Sequence, residues 1–393
     1  MEASLLPNKN KIRTVSVLGS TGSIGCNTLD LVARYPDHYR VMALTANRNV
    51  SELAEQAIRF NAKMAVVADE SCYQALKEAL AGTNIKVGAG REALIEAASL
   101  PSDWVMASIV GAAGLDPTLS AIRRGAIVAL ANKECLVCAG DLVMKEVVEH
   151  NATLLPVDSE HNAIFQVFDF EQPEKISHVT LTASGGPFYQ MSVEEMEKVT
   201  PQQAVSHPNW DMGAKISVDS ATMMNKGLEL IEAYHLFPVS EDKIEIIVHP
   251  QSVIHSMVSY VDGSVLAQLG SPDMRTPISY TLAWPERIGT PAKQLDLARL
   301  GRLDFFEPDP VRFPALKLAR EALQTGGSAP TILNAANEIA VHAFLEGKIG
   351  FLEISRIVEK TLGVMGSVEL KCLQTVLEID REARRISAGF IGN

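Results

Sequence analysis

A glycine-rich turn between a short apolar run and a helix-like segment constrains the fold more than any other feature of the sequence. The run Thr14–Leu18 leads directly into Gly19-Ser20-Thr21-Gly22-Ser23-Ile24-Gly25. Glycines in such a turn let the backbone approach a pyrophosphate, which the N-terminus of the following helix then holds. The G-x-x-G-x-x-G spacing is a variant of the more common dinucleotide fingerprint, and it can also be a purely structural turn. Its position between the first strand and the first helix favours dinucleotide binding.

Short apolar runs alternate with amphipathic stretches from Thr14 to Val157, which is the pattern of a parallel sheet wrapped by helices. We therefore predict an α/β fold with an N-terminal Rossmann-like parallel sheet. Helices are expected at Asn27–Tyr35 and Ser51–Phe60, with Ser51 as an N-cap. The six predicted strands are Thr14–Leu18, Val41–Leu44, Ala65–Val67, Trp104–Ala107, Ile127–Leu130 and Leu154–Val157.

The character of the sequence changes after Asp158. The apolar runs Val253–Tyr260 and Val265–Leu269 flank Asp262-Gly263, a hairpin turn signal, and they indicate an α+β domain with an antiparallel element. Repeated prolines then indicate a linker, and the pattern beyond it is helical. The predicted division is a dinucleotide-binding domain at 1–157, a catalytic metal and substrate domain at 158–283, a linker at 284–314 and a C-terminal helical domain at 315–393.

The composition excludes several classes of protein. A hydrophobic content of 47% is typical of a globular chain, and a net charge of −12 argues against a nucleic-acid-binding or anionic-membrane surface. Five cysteines do not make a disulfide framework, and the pair Cys135 and Cys138 has no second pair at zinc spacing, so we expect buried or half-buried thiols. The polar N-terminus and the lack of an apolar run of about 20 residues predict a cytoplasmic protein.

The residues after the second predicted strand indicate which dinucleotide binds. An NAD site places a carboxylate there to accept hydrogen bonds from the ribose. This chain instead has Thr45-Ala46-Asn47-Arg48-Asn49, in which no carboxylate repels a 2′-phosphate and Arg48 can pair with one. Arg48 can also be read as a solvated loop cation. The segment nevertheless favours NADPH.

Two carboxylates follow the last strand of the predicted parallel sheet, in Val157-Asp158-Ser159-Glu160-His161. If the chain is extended there, Asp158 and Glu160 point to the same face, at the sheet edge where ligands bind. Glu229 supplies a third carboxylate, and three hard oxygen ligands suit Mg²⁺ or Mn²⁺. The spacing fits equally well an N-capping Asp158 beside a solvated Glu160.

Two segments carry donors that suit a phosphoryl group. Thr182–Pro187 offers hydroxyls and exposed amides in a turn, and Asp219–Lys226 offers hydroxyl, amide and ammonium donors. Each segment can also be ordinary turn or cap chemistry. Between them, Pro201–Met212 contains a His and a Trp in a proline-punctuated loop, which either forms a lid that excludes water or is anchored to the core by Trp210.

Taken together, these motifs resemble one family, the 1-deoxy-D-xylulose 5-phosphate reductoisomerases, and they follow that family's order over nearly the whole chain. The run Ser217–Glu229 is especially specific, whereas Cys135 stands where the family has a serine. The resembling stretches are Gly19–Gly25, Ala131–Glu134, Pro156–Phe165, Ser184–Phe188, His207–Met212, Lys215–Glu229, His249–Met257 and Leu333–Glu338.

The resemblance implies conversion of 1-deoxy-D-xylulose 5-phosphate to 2-C-methyl-D-erythritol 4-phosphate with NADPH and a divalent cation, by either a retro-aldol/aldol or an α-ketol route. It also implies a homodimer with a lid at about 185–214 and a small phosphorylated sugar as substrate. The net charge already predicts no nucleic-acid or membrane partner. The implied metal ligands are Asp158, Glu160 and Glu229, which together with Lys133 form the catalytic set. The implied substrate contacts are Lys133, Ser159, Glu160, Ser184, His207, Ser220, Asn225, Lys226 and Glu229. The implied NADPH contacts are Thr21, Gly22, Ser23, Ile24, Asn47, Arg48, Asn49, Asn132, Glu134 and Gly213.

Two other classes of protein are compatible with parts of the sequence. A phosphorylating semialdehyde dehydrogenase would use Cys135 or Cys138 as an acyl-forming nucleophile. An NADP-sensing regulator would bind the dinucleotide without turnover and use its carboxylates structurally. These two classes and the reductoisomerase are distinguished by whether NADPH oxidation depends on the sugar phosphate and on metal.

Overall fold

The computed structural model of the chain describes residues 12–206 and 212–391. These residues group into two units. The first contains the described residues of Met1–Cys135, Val143–Asn162 and Asp273–Ala292, and the second contains those of Leu136–Leu142, Ala163–Pro272 and Lys293–Asn393. The four-part division proposed from the sequence stays a prediction. None of the described helices combines the length and hydrophobicity needed to cross a membrane.

The first unit is built on a parallel sheet of seven strands, which confirms the α/β fold class. The strand order is β4-β3-β2-β1-β5-β6-β7, so the chain leaves β1 towards one edge and later returns to its other side at β5. Open sheets of this kind bind ligands at the carboxyl ends of the strands where the order reverses. The strands are β1 (Arg13–Leu18), β2 (Tyr39–Ala46), β3 (Met64–Val67), β4 (Lys86–Ala89), β5 (Trp104–Ala107), β6 (Ile127–Leu130) and β7 (Thr153–Pro156).

Sequence reasoning missed β4. Its residues are exposed or half-buried, with Lys86 and Gly88 breaking the apolar run, because β4 lies at the sheet edge. The inner strands β3 and β5 are buried at every position and therefore read as continuous apolar runs. Trp104 of β5 is fully buried, and its indole N–H donates to the carbonyl of Thr281 at 3.0 Å.

The second unit contains a four-stranded mixed sheet in the order β11-β10-β8-β9. Strands β8 and β9 are parallel, whereas β10 is antiparallel to β8 and β11. The predicted hairpin at Asp262-Gly263 is confirmed: Gly263 has φ 88°, and Asp262 Oδ1 accepts from the Ser264 amide at 2.9 Å. The strands are β8 (Ile176–Ala183), β9 (Ile244–Val248), β10 (Ile254–Tyr260) and β11 (Val265–Leu269).

Helices complete both units. The helix α11 (Met224–Leu236), which carries Glu229, packs closely on α14 (Ala315–Thr325), since a Cβ added to Gly227 would lie 2.6 Å from the Ala319 Cβ. The helices are α1 (Ser23–Arg34), α2 (Val50–Arg59), α3 (Tyr73–Ala79), α4 (Gly90–Ser99), α5 (Leu115–Ile122), α6 (Glu134–Glu149), α7 (Ser159–Val167), α8 (Val193–Met196), α9 (Pro201–Val205), α10 (Ala214–Ala221), α11 (Met224–Leu236), α12 (Arg275–Ala283), α13 (Leu297–Leu300), α14 (Ala315–Thr325), α15 (Ala329–Leu345), α16 (Glu353–Val364) and α17 (Leu373–Ala388).

Candidate active site

The glycine-rich turn lies between β1 and α1, as predicted. Gly19 has φ 89°, a conformation that favours glycine, and Gly22 is the N-cap of α1. A Cβ added to Gly25 would lie 2.3 Å from the Gly19 carbonyl oxygen, so the helix can approach the turn only with glycine there. Ser20 donates its amide to the Thr45 carbonyl at 2.7 Å, which ties the turn to the end of β2. Thr21, Gly22, Ser23 and Ile24 therefore surround the N-terminus of α1.

The loop after β2 carries the predicted selectivity residues. The Arg48 side chain is 76% exposed, and its Nε donates to Asp69 Oδ2 at 2.6 Å. Hydrogen bonds from Ser71, followed by the Arg48 guanidinium, lower the pKa of Asp69. Asn47 precedes Arg48 in the same loop and accepts the Asp69 amide at its carbonyl, 3.2 Å away. Sequence reasoning missed Asp69, because the Asp-x-Ser that follows β3 signals a local turn and not the pairing with Arg48.

Asn49, another predicted cofactor contact, is the N-cap of α2. Its Oδ1 accepts from the Glu52 amide at 3.4 Å, and its Nδ2 donates to Glu52 Oε2 at 2.7 Å. The sequence-based assignment of Ser51 as N-cap was wrong, because α2 already begins at Val50. Asn49 is the stronger cap, since its carboxamide both accepts from the helix backbone and binds the first-turn glutamate.

Asn132, Lys133 and Glu134 follow β6 and are all buried. The Asn132 side chain donates from Nδ2 to the Gly111 carbonyl at 2.9 Å, and its Oδ1 accepts from the backbone amide of Cys135 at 3.1 Å. It therefore joins the loop after β5 to the start of α6. Lys133 Nζ lies 2.8 Å from Asp158 Oδ2. The loops after β5, β6 and β7 are therefore linked at the ligand-binding edge of the parallel sheet.

Asp158 and Glu160 lie together, but not for the reason that the sequence suggested. The extended-chain argument was wrong, because β7 ends at Pro156 and α7 begins at Ser159. The Glu160 amide donates to Asp158 Oδ1 at 3.3 Å, and the Ser159 hydroxyl donates to Glu160 Oε2 at 2.5 Å. Each carboxylate offers an oxygen within 4.8 Å of one on the other. Asp158 thus caps the helix, as the alternative reading held, and also brings a carboxylate close to Glu160.

In the second unit, Glu229 is 1% exposed on α11. Asn225 Nδ2 donates to Glu229 Oε1 at 2.5 Å, and Lys226 Nζ contacts Glu229 Oε2. Asn225 and Lys226 lie in the first turn of α11, just after Met223, whose φ of 61° is left-handed. The N-terminus of a helix with a lysine in its first turn is chemically suited to an anion.

Ser184 and Ser220, the two predicted hydroxyl contacts, are also neighbours. Their Oγ atoms lie 3.4 Å apart, and Ser184 Oγ accepts from the Gly186 amide at 3.2 Å. Gly186 has φ 66°, and a Cβ there would lie 2.6 Å from the Ser220 carbonyl oxygen. The turn after β8 can therefore approach the end of α10 only with glycine at this position.

The last two predicted contacts are His207 and Gly213. His207 lies outside the described residues, as do its neighbours up to 211. Gly213 is the N-cap of α10. Cys135 and Cys138 are each 1% exposed and form no disulfide, as expected for buried thiols.

Sequence models of known families match most of the chain. The model described as 1-deoxy-D-xylulose 5-phosphate reductoisomerase matches residues 15–140. The C-terminal domain model of 1-deoxy-D-xylulose 5-phosphate reductoisomerase matches residues 154–237, and the DXP reductoisomerase C-terminal domain model matches residues 269–386.

Similar whole proteins carry the same name. The 1-deoxy-D-xylulose 5-phosphate reductoisomerase of Rhodospirillum centenum is 63% identical over 380 residues, which cover 97% of this chain and 94% of that protein. A structure of the Zymomonas mobilis enzyme in complex with NADPH matches with a TM-score of 0.94 at 59% identity, covering 98% of this chain and all of the other. A crystal structure of DOX-P reductoisomerase in complex with NADPH, fosmidomycin and magnesium matches with a TM-score of 0.91 at 45% identity, covering 96% and 98%.

Proposed function

The chain belongs to the 1-deoxy-D-xylulose 5-phosphate reductoisomerase family, and we propose that it converts 1-deoxy-D-xylulose 5-phosphate to 2-C-methyl-D-erythritol 4-phosphate with NADPH and Mg²⁺ or Mn²⁺. The observation that carries this proposal is the 63% identity that extends over 97% of the chain. The Lys133–Asp158–Glu160 group at the ligand-binding edge of the parallel sheet supports it, because a reductase needs its reacting groups beside the dinucleotide turn.

Asp158, Glu160 and Glu229 are the proposed metal ligands. Their chemistry fits a hard divalent cation, since all three offer carboxylate oxygens. When bound, the cation supplies a Lewis acid that polarises the ketone and the adjacent hydroxyl of the substrate. Ser159 holds the Glu160 carboxylate by its hydroxyl, and Lys133 offsets the charge of Asp158 and is the proposed donor to a substrate hydroxyl.

The phosphate of the substrate is assigned to the second unit. Ser184 and Ser220 offer neighbouring hydroxyls, and Asn225 and Lys226 offer amide and ammonium donors at the N-terminus of α11. His207 is a further proposed substrate contact, and residues at about 185–214 form the proposed lid. Binding energy from the phosphate, remote from the reacting carbons, helps to align the sugar.

NADPH is assigned to the turn after β1 and the loops after β2 and β6. NADPH supplies the hydride that reduces the rearranged aldehyde. Arg48 is the proposed partner of the 2′-phosphate, with Asn47 and Asn49 beside it. The remaining proposed contacts are Thr21, Gly22, Ser23, Ile24, Asn132, Glu134 and Gly213.

The proposal extends to a cytoplasmic homodimer with the four-part domain division given above. The edge strand β11 supports an interface between copies, because it exposes Val265 and Leu266 beside backbone groups that, among the described residues, have no neighbouring strand on one side. Light scattering at micromolar concentration measures the mass of the assembly. A monomeric mass would contradict the homodimer but not the proposed reaction.

The decisive experiment follows NADPH absorbance with 1-deoxy-D-xylulose 5-phosphate, with and without Mg²⁺ or Mn²⁺, and identifies the product by NMR. We expect steady oxidation that stops with EDTA and returns with metal. Oxidation that survives EDTA but stops after thiol alkylation would favour the semialdehyde dehydrogenase. Tight NADPH binding without turnover would favour the regulator.

A further inference from the structure

The asparagine-rich segment Asn334–Glu338 has no role in the reaction proposed above. It lies on α15, and Asn337 within it is fully buried. Asn337 Nδ2 donates to Asp219 Oδ1 of α10 at 2.8 Å, across 118 residues of sequence. The other carboxylate oxygen of Asp219 lies 2.8 Å from Lys215 Nζ, and Asp219 itself is 1% exposed. Both oxygens of this buried carboxylate are therefore engaged.

Asp219 lies next to the residues assigned to the substrate phosphate. It precedes Ser220 on α10, and its carbonyl accepts from the Thr222 hydroxyl at 3.2 Å. Thr222 in turn accepts from the Met224 amide at 3.3 Å, in the tight joint between α10 and α11. A rotation of α10 that displaces Asp219 therefore also displaces Ser220 and the first turn of α11.

Apolar packing alone does not fix this position. Val218 and Ala221 of α10 share one cluster with Ala340 and Val341 of α15, but such contacts are non-directional. The hydrogen bond from Asn337 is directional, since it weakens steeply when its angle or length changes. It also gains strength from the charge of Asp219. The bond can thus fix the rotation of α10 where the small apolar side chains leave it free.

The amide of Asn337 is a poor choice for stability alone. Its Oδ1 has no hydrogen-bond partner among the described residues, and a buried polar atom of that kind is unfavourable. A leucine, which has the same branched shape and no polar atom, would avoid that cost. The presence of asparagine therefore indicates that the bond to Asp219 matters for position.

We propose that Asn337 is a positioning residue of the C-terminal helices that, through Asp219, places Ser220 in the subsite for the substrate phosphate. The inference rests on the proposed function, because that function assigns the phosphate to Ser184 and Ser220. It adds a residue on α15 that touches neither substrate nor cofactor and still sets the affinity for the phosphorylated substrate.

The test compares Asn337→Leu with the matched control Asn334→Leu. Both asparagines are fully buried on α15, but Asn334 donates to Glu338 Oε1 at 3.1 Å instead of to α10. We expect Asn337→Leu to raise the KM for 1-deoxy-D-xylulose 5-phosphate about tenfold, with kcat within about threefold and the KM for NADPH unchanged, as for loss of one charge-assisted hydrogen bond. We expect Asn334→Leu to leave that KM unchanged, because its amide makes no bond to α10.

A reciprocal exchange separates position from stability. Asn337→Asp places two carboxylates together and Asp219→Asn removes the charge, so each single change should raise the KM. The double variant restores a donor opposite an acceptor and should recover most of the loss. Equal KM changes in the Asn334 and Asn337 variants, or no recovery in the double variant, would overturn the inference. Absence of sugar-phosphate turnover in the unmodified protein would instead refute the proposed function.

Discussion

Lys133 and Asp158 form an ion pair of 2.8 Å that joins the carboxyl ends of β6 and β7. The side chains are only 10% and 15% exposed, so each charge has lost most of its hydration and depends on the other. The pair brings an ammonium group into contact with a proposed metal ligand. It therefore links the stability of the sheet edge to the proposed chemistry.

Replacing Lys133 tests that link. Lys133→Met should lower kcat at least about 100-fold, because a positioned cation that stabilises developing charge is lost, which corresponds to about 3 kcal/mol. It should also lower the unfolding temperature, since Asp158 would remain buried without this partner. Lys145→Met, on the exposed side of the same helix α6, is the control and should change neither quantity. A Lys133 variant with full kcat would contradict the assignment.

Arg48 should determine the choice between NADPH and NADH. Arg48→Ala should raise the KM for NADPH roughly 10- to 100-fold, equivalent to one or two charge-assisted hydrogen bonds, and leave the KM for NADH nearly unchanged. Steady-state rates with the two cofactors measure the ratio. Arg59→Ala is the matched control, because Arg59 lies at the far end of α2 and stacks on Phe60. An equal rise for both cofactors would show that Arg48 does not read the 2′-phosphate.

The parts of the fold that are dictated by burial could be read from the sequence. Strands β5 and β6 have the predicted bounds, because they lie inside the sheet and consist entirely of apolar residues. The edge strand β4 could not be predicted, since it pairs on one side only with strands in the described part of the chain and its residues are partly polar. Asn49 was missed as a cap for a different reason, because Ser51 offered a rival cap two residues later.

Only part of the candidate site could be predicted from the sequence. Asp158 and Glu160 were chosen correctly as neighbours, but an extended chain and the first turn of a helix both bring them together, and the sequence does not distinguish the two. Asp69 and Asn337 were not identified, because each acts through a residue that is remote in sequence. Long-range partners of this kind are set by the packing of elements, which periodicity does not encode.

Thiol reactivity should separate exposed from buried cysteines. Cys372 is exposed, and hydrogen bonds from Thr375 lower the pKa of its thiol. Burial, followed by contact with Glu52, raises the pKa of Cys26 to about 11. Because the thiolate is the reactive form, iodoacetamide at pH 7.5 should label Cys372 first and Cys26 late, as measured by peptide mass spectrometry.

That labelling should leave NADPH oxidation intact, and Cys372→Ser should remove the fast reaction. Cys135→Ala should also remain active, since the proposed mechanism needs no thiol. Early labelling of Cys135 or Cys138 accompanied by loss of turnover would instead support an acyl-forming cysteine.

His235 should make stability fall at mildly acidic pH. Burial lowers its pKa below the usual 6.5, and the opposing charge of Asp141, 3.6 Å away, only partly offsets this. As the pH falls below about 6.5, the unfolded chain takes up a proton at this histidine, whereas the buried imidazole of the folded protein does not. The free energy of unfolding therefore decreases by up to about 1.4 kcal/mol per pH unit, until the folded imidazole titrates.

Urea unfolding between pH 7.5 and 5.5 measures this slope. His235→Gln should flatten it, whereas His342→Gln, at an exposed site on α15, should not. Identical slopes in both variants would assign the pH dependence to other groups.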